Sequence, residues 1–237
     1  MVRSHPAELN PGSYKSGDQL MSNQQWKAKW KRDDIAFHQS QINPLLPQFW
    51  PTLGLTVGDT VLVPLCGKSL DMDWLLDAGY KVFGIELSNI AIQAFFAGRG
   101  LVPNRQRHGR FIRWSHGNVE IWCGDLFDLC AADLLDISAI YDCAALTALP
   151  EATRSQYVRH LGALLPSASQ ILLLTTESAD EITTVLPLAI DSEVASLYAS
   201  RYSIELLHGN QCMKIDPEYP HEAARMLEEK VYRMRPH

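Results

Sequence analysis

The feature that most constrains this chain is a strand–turn–helix–strand run between residues 60 and 86. Residues 60–65 are β-branched and apolar and end in Cys66-Gly67-Lys68-Ser69. Residues 70–78 put Leu70, Trp74 and Leu75 on related faces of a helix, and Gly79 is placed to stop it. Lys81–Glu86 reads as the next strand, Ser88 as the N-cap of a helix over 90–96, and residues 98–100 close the region. Strand and helix alternate twice within about forty residues, the pattern of a mostly parallel sheet covered by helices.

The flanking sequence extends that pattern. Trp26 and Trp30, four residues apart, share one face of a helix over 24–30, and a second short helix is expected over 43–50. Residues 111–114 and Val119–Cys123 read as a hairpin through 115–118. A short helix ends near 134–137, and a strand is centred on 139–141. Glu151–Leu164 reads as a helix after Pro150, and residues 170–175 as a buried strand. Residues 186–190 suit a loop or short strand, 191–198 a helix and 202–207 a strand. Helix-like 222–227 precedes an edge strand at 230–234.

Composition narrows the partners. The 237 residues suit one sizeable α/β domain, and 46% hydrophobic content supplies its core. Lys plus Arg number 21 against 27 Asp plus Glu, a net charge of −6, which gives no footprint for nucleic acid. No apolar run approaches the length of a membrane span, so no membrane partner is expected. Residues 1–20 lack the apolar core of a signal peptide and read as a disordered extension, with Met21 a plausible start and 21–237 the single domain. Five cysteines without a CxxC pair fit reduced thiols in a cytoplasmic protein, expected to be a monomer; His and Cys never cluster at metal-ligand spacing, so no metal is expected.

Three groups of residues stand out as chemistry. A close turn at Gly67 lets backbone donors approach a ligand at the C-terminal end of the sheet. Glu86, nineteen residues later, stands where a carboxylate can accept hydrogen bonds from both ribose hydroxyls of a cofactor and disfavours a 2′-phosphate. A full GxGxxG is missing, and a tight turn followed by an ordinary surface glutamate is the alternative. Asp125, Leu126 and Phe127 form a second lining, the aspartate facing an adenine amino group and the apolar pair its ring; core packing is the competing role for Phe127. Trp26 and Trp30 offer aromatic surface to a sulfonium cation and an organic acceptor, or simply anchor an N-terminal helix.

Trp26-x3-Trp30, Phe37-His38, Phe49-Trp50, the stretch Val63-Pro64-Leu65-Cys66-Gly67-Lys68-Ser69-Leu70-Asp71-Met72, Gly84-Ile85-Glu86-Leu87-Ser88, Phe95-Phe96, Gly117-Asn118 and Gly124-Asp125-Leu126-Phe127 together resemble the bacterial type of the thiopurine S-methyltransferase family, in order and spacing over residues 24–176. The resemblance implies a Rossmann-like class I methyltransferase: a mostly parallel seven-stranded sheet with helices on both faces and a mobile N-terminal cover. It implies S-adenosyl-L-methionine as methyl donor, leaving S-adenosyl-L-homocysteine. Trp30, Leu65, Glu86, Leu126 and Phe127 would contact that donor, with Gly67 and Asp125 beside them. Trp26 and Phe37 would help cover the site. His38 is the family-supported candidate for handling a proton, with a structural role as the alternative, and no residue is singled out as catalytic.

The sequence departs from the family on the acceptor side. After the aspartate ending the fourth strand the family usually has an arginine; here the run is Asp142-Cys143-Ala144-Ala145, and a thiol supplies neither the charge nor the fork of donors. Asp142 and Cys143 are accordingly assigned to the acceptor pocket, Asp142 shaping the strand-end loop rather than taking a substrate proton and Cys143 lining the pocket rather than acting as a nucleophile. Thr176-Glu177-Ser178-Ala179 and Thr184-Val185-Leu186-Pro187-Leu188 replace a tyrosine-containing stretch and a GPPF-like loop, and residues 216–228 lack an arginine-rich pattern. The expected activity is methyl transfer to a small molecule, a thiol or related soft nucleophile. Methylation of oxygen, nitrogen, selenium or halide and non-catalytic S-adenosylmethionine binding are the alternatives.

Overall fold

The computed structural model describes residues 23–35, 37–134, 136–167, 169–178, 191–214 and 225–237. The expected extension at 1–20 and the loop or strand at 186–190 lie outside them. Two helices precede the sheet: α1 (Asn23–Lys31), and α2 (Leu45–Phe49), which runs into a 3-10 turn at Trp50–Leu53. Then follow β1 (Thr60–Pro64), α3 (Asp71–Asp77), β2 (Lys81–Glu86) and α4 (Asn89–Gly98), as the alternation demanded. Ser88 caps α4, its side chain accepting a hydrogen bond from Ala91 N. β3 (Asn104–His108), β4 (Phe111–His116) and β5 (Val119–Cys123) come next, with 3-10 turns at Leu126–Asp128 and Ala131–Asp133. β6 (Ile137–Cys143), α5 (Ala145–Ala148), α6 (Glu151–Leu164), β7 (Gln170–Ser178), α7 (Ser192–Tyr198), β8 (Tyr202–Lys214) and β9 (Arg225–Pro236) complete the described elements.

The strands form one sheet in the order β3-β4-β5-β2-β1-β6-β7-β9-β8. β5, β2, β1, β6 and β7 run parallel, and antiparallel pairs extend the sheet on both sides. Nine strands among the described residues exceed the expected seven. β3 carries no apolar alternation: all five of its residues are exposed, and it joins the edge through backbone pairing with β4.

Two further expectations are corrected. β9 is interior, paired on one side with β7 and along its whole length on the other with β8. β8 is the edge. Residues 225–227, part of the helix-like run, are strand; their pairing with β8 overrides the helix propensity of Arg225, Met226 and Leu227.

Burial follows the pleat. Leu62, Ile140, Ile171 and Leu173 pack on one face with Tyr157 and Leu161 of α6, while Val61, Val63, Tyr141, Leu172 and Leu174 pack on the other with Leu46 of α2, Met72 of α3 and Phe95 of α4. Each such side chain taken fully out of water contributes about 1.5–3 kcal/mol. Both faces of the parallel strands are thereby covered, as their near-continuous apolar runs require. No helix among the described residues is long and apolar enough to cross a membrane.

Candidate active site

β1 sits where the strand order reverses, with β2 on one side and β6 on the other. In open α/β sheets ligands bind outside the C-terminal ends of the strands at that point. A cavity of about 270 Å³ occupies it, lined from β1 through the following turn, from the ends of β2, β5 and β6, and from α1. Leu65 and Ala144, the residues that leave β1 and β6, have φ of 48° and 66°, the left-handed region that non-glycine residues rarely enter. Strain of this kind persists where surrounding structure holds it and concentrates at binding sites. A larger cavity of about 480 Å³ lies at the opposite end of the sheet, beside Thr60, Lys81 and Val119. Polar side chains there are partnered, Arg113 with Glu120 at 2.9 Å and His108 with Asp133 at 3.4 Å. The smaller cavity, with the strained strand ends, is the candidate site.

Glu86 is no ordinary surface glutamate. It is 7% exposed at the end of β2, and its Oε2 accepts from Gly67 N at 2.9 Å while Oε1 accepts from Ser88 N at 2.7 Å. Burial raises the carboxyl's pKa, and the backbone donors of Ser88, Gly67 and Leu87 work against that rise. A carboxylate has about four lone-pair sites, so capacity remains for a ligand hydroxyl beyond these three donors. Gly67 has φ 52°, and a Cβ there would lie 3.2 Å from the Trp30 ring. Only glycine both adopts that turn comfortably and lets the indole of α1 close over it.

The N-terminal aromatics form a cluster. The Trp26 and Phe37 rings meet edge to face at 5.4 Å, and those of Trp30 and Phe37 at 5.8 Å. Trp30 is buried and Phe37 is half-exposed. His38 also lines the cavity, and its pKa is lowered by burial and then by the charges of Lys68 and Arg99. Asp125 caps the 3-10 turn that carries Leu126 and Phe127, accepting from Phe127 N at 3.0 Å, and its other oxygen accepts from Asn23 Nδ2 at 2.6 Å. All of these residues line one cavity.

Asp142 does not join them. On β6, successive side chains alternate: Tyr141 and Cys143 lie toward α2 and α3, Asp142 toward α6. Asp142 is fully buried, accepts from Tyr157 OH at 2.7 Å and Leu146 N at 3.2 Å, and is absent from the cavity lining. Burial pushes its pKa up to about 6. It braces the strand end, outside the cavity lining. Cys143 does line the cavity; burial, then the Asp71 charge, pushes its thiol up to about 12, so it stays protonated. Sequence reasoning missed Asn23, Asn43, Asp71 and Tyr141, which also lie at this site. Asp71 sits inside the most specific motif, Pro64–Met72, but nothing in the pattern distinguishes it from a helix N-terminal acid. No cluster of His, Cys, Asp or Glu among the described residues is placed to hold a metal ion.

Among solved structures, the fold is similar to the Burkholderia thailandensis 1,6-didemethyltoxoflavin-N1-methyltransferase, determined with S-adenosylhomocysteine, at a TM-score of 0.56 and 14% identity over 94% of this chain and 99% of that one. It is similar also to the Synechocystis magnesium protoporphyrin IX methyltransferase, determined with bound donor, at 0.55 and 14% over 90% and 99%. A [4+2]-cyclase matches equally well, at 0.58 and 13% over 90% and 96%, so the fold does not choose the reaction. Sequence comparison goes further. The chain is 44% identical over 213 residues to thiopurine S-methyltransferase of Stutzerimonas stutzeri, covering 90% of each protein. It is 42% identical over 210 residues to that of Azotobacter vinelandii, covering 88% of this chain and 96% of the relative. The family description "Thiopurine S-methyltransferase (TPMT)" matches residues 21–237. The chain belongs to the thiopurine S-methyltransferase family and is an S-adenosylmethionine-dependent methyltransferase of a small molecule.

Proposed function

We propose that this enzyme methylates a small thiol or related soft nucleophile in the switch-point cavity, with 21–237 acting as one domain. The observation that carries the reading is the buried Glu86 carboxylate, fixed by Gly67 N and Ser88 N at the end of β2 and still able to accept a ligand hydroxyl. In this reading Trp30, Leu65, Gly67, Glu86, Asp125, Leu126 and Phe127 hold the donor, and Trp26, Phe37, His38 and Cys143 enclose the acceptor. The donor supplies an electrophilic methyl group on a sulfonium. The protein's part is to align the acceptor and exclude water: Trp26, Trp30 and Phe37 form an apolar cover whose aromatic faces favour a cation. The acceptor is a small molecule rather than nucleic acid, and the protein acts as a cytoplasmic monomer.

A second reading, a neutral oxygen or nitrogen acceptor, is favoured by Cys143, whose protonated thiol offers an anion only a weak donor. A radiolabelled methyl-transfer screen over thiols, selenols, phenols and heterocyclic amines separates the two. Turnover of thiols or selenols supports the first; turnover confined to oxygen or nitrogen acceptors overturns it in favour of the second.

A further inference from the structure

A buried polar chain lies at the end of the cavity formed by β6 and α3. Tyr141 OH donates to Asp71 Oδ2 at 2.9 Å. The other Asp71 oxygen accepts from Asn43 N at 2.7 Å, and Asn43 Nδ2 reaches Cys143 Sγ at 3.7 Å. Because the Tyr141 hydrogen is committed to Asp71, the lone pairs of the tyrosine oxygen remain for an X–H group in the cavity. Asp71, Tyr141 and Cys143 all line the cavity; Asp71 is 3% and Tyr141 1% exposed.

The charges around this chain give it a direction. Among the described residues lining the cavity, the one side chain carrying a full positive charge is Lys68, whose field acts on His38. An acceptor anion arriving beside Cys143 would meet the Asp71 carboxylate rather than a cation, which disfavours pre-ionised acceptors there. A neutral acceptor meets a tyrosine oxygen backed by a carboxylate, the arrangement that accepts a proton.

Resting on the methyltransferase reading of this cavity, we propose that Tyr141 takes the proton of a neutral, weakly acidic thiol and passes its own to Asp71, so that the site serves acceptors that arrive un-ionised. As the acceptor sulfur forms its bond to the methyl carbon, the carbon–sulfonium bond breaks and its electron pair stays on the donor sulfur. The S–H proton moves to the Tyr141 oxygen, and the Tyr141 proton moves along its existing hydrogen bond to Asp71 Oδ2. The sulfonium and the carboxylate both end neutral. Burial raises the proton affinity of Asp71, in the direction this step needs. Tyr141 is the catalytic residue here, and Asp71 acts through it.

The competing role for the pair is to brace the Asn43 segment, which would cost all acceptors alike. The test compares 2-mercaptoethanol, neutral at neutral pH, with 4-nitrothiophenol, which is ionised there. Tyr141→Phe is expected to lower kcat/KM for the alkyl thiol by about 100-fold and to change that for the nitrothiophenolate less than about 3-fold. Asp71→Asn should show the same selectivity. Equal loss on both acceptors overturns the relay. A second readout needs no turnover: 4-nitrophenol bound to the S-adenosylhomocysteine complex should stay protonated well above its free pKa in the natural protein and ionise near its free value in Asp71→Asn, by absorbance. Unchanged ionisation between the two proteins also overturns it. If the natural protein methylates neither thiol while binding S-adenosylhomocysteine, the thiol reading fails, and the nitrophenol readout still decides the relay.

Discussion

Glu86 carries two tasks with one carboxylate. It holds the Gly67 turn and the start of α4 through backbone donors, and it presents its remaining lone pairs to the ribose in the reading above. Glu86→Ala should therefore weaken S-adenosylhomocysteine binding by about 10-fold or more, since hydrogen bonds to a charged group contribute about 1.5–3 kcal/mol. Calorimetry on the folded variant checks it; unchanged affinity removes Glu86 from the ribose. Asp142 makes a different prediction, one of stability. Its folded pKa is raised to about 6 from an ordinary 3.8, so the native state binds its proton more tightly than the unfolded chain. The stability this contributes is complete below about pH 4 and is lost as pH rises through about 6. Asp142→Asn removes that dependence while keeping an oxygen for Leu146 N. Between about pH 4.5 and 7.5 the variant should gain about 2 kcal/mol relative to the natural protein. Urea unfolding at the two pH values measures the difference, and a constant offset would show that Asp142 is not the titrating group.

At the scale of elements, α1 is the part of the site held most lightly. Apart from Trp30 its described residues are exposed or half-buried, and its ties to the body include the Asn23–Asp125 hydrogen bond and the Trp30 contact over Gly67. Ligand filling the cavity beneath it should slow amide exchange across Asn23–Lys31 by about 10-fold or more, as expected of a cover that opens locally. Hydrogen exchange with and without S-adenosylhomocysteine reads this directly, and equal protection in both states would argue for a permanently closed cover. The pattern of residues 60–98 was legible because every signal agreed: β-branched strands, periodic helices, a cap at Ser88 and a stop at Gly79. The Gly67–Glu86 pairing was legible for the same reason, since strand ends and glycine turns leave local marks. β3 left none, its five residues being wholly exposed, and the interior position of β9 depends on β8, which no local window contains. The Asp71–Tyr141 pair joins residues seventy apart, and which face of β6 meets the cavity was settled by pairing register rather than composition. Asp142 and Cys143 are neighbours in sequence, but the pleat sends them in opposite directions, Asp142 toward α6 and Cys143 into the cavity.

At the scale of the whole molecule, the site exists only when distant parts of the chain are assembled together. Asn23 meets Asp125, Asn43 meets Cys143, and Gly67 meets Glu86, across the ends of strands buried on both faces by the two cores. No fragment of the sheet carries the cavity by itself, so a ligand that binds there should stabilise the native state against global unfolding and bind the unfolded chain negligibly. At a free concentration of S-adenosylhomocysteine 100 times its Kd, that linkage adds about 2.7 kcal/mol. For a chain of this length each 1 kcal/mol raises Tm by about 2–4 °C, so the expected shift is about 5–11 °C. Glu86→Ala at the same ligand concentration should forfeit about 1.4 kcal/mol of it for a tenfold loss of affinity, a shift smaller by about 3–6 °C. Scanning calorimetry of both proteins, with ligand varied over two decades, tests the coupling. A shift that is absent, or identical in the two proteins, would mean that the ligand binds away from the strand-end cavity or that Glu86 takes no part in holding it.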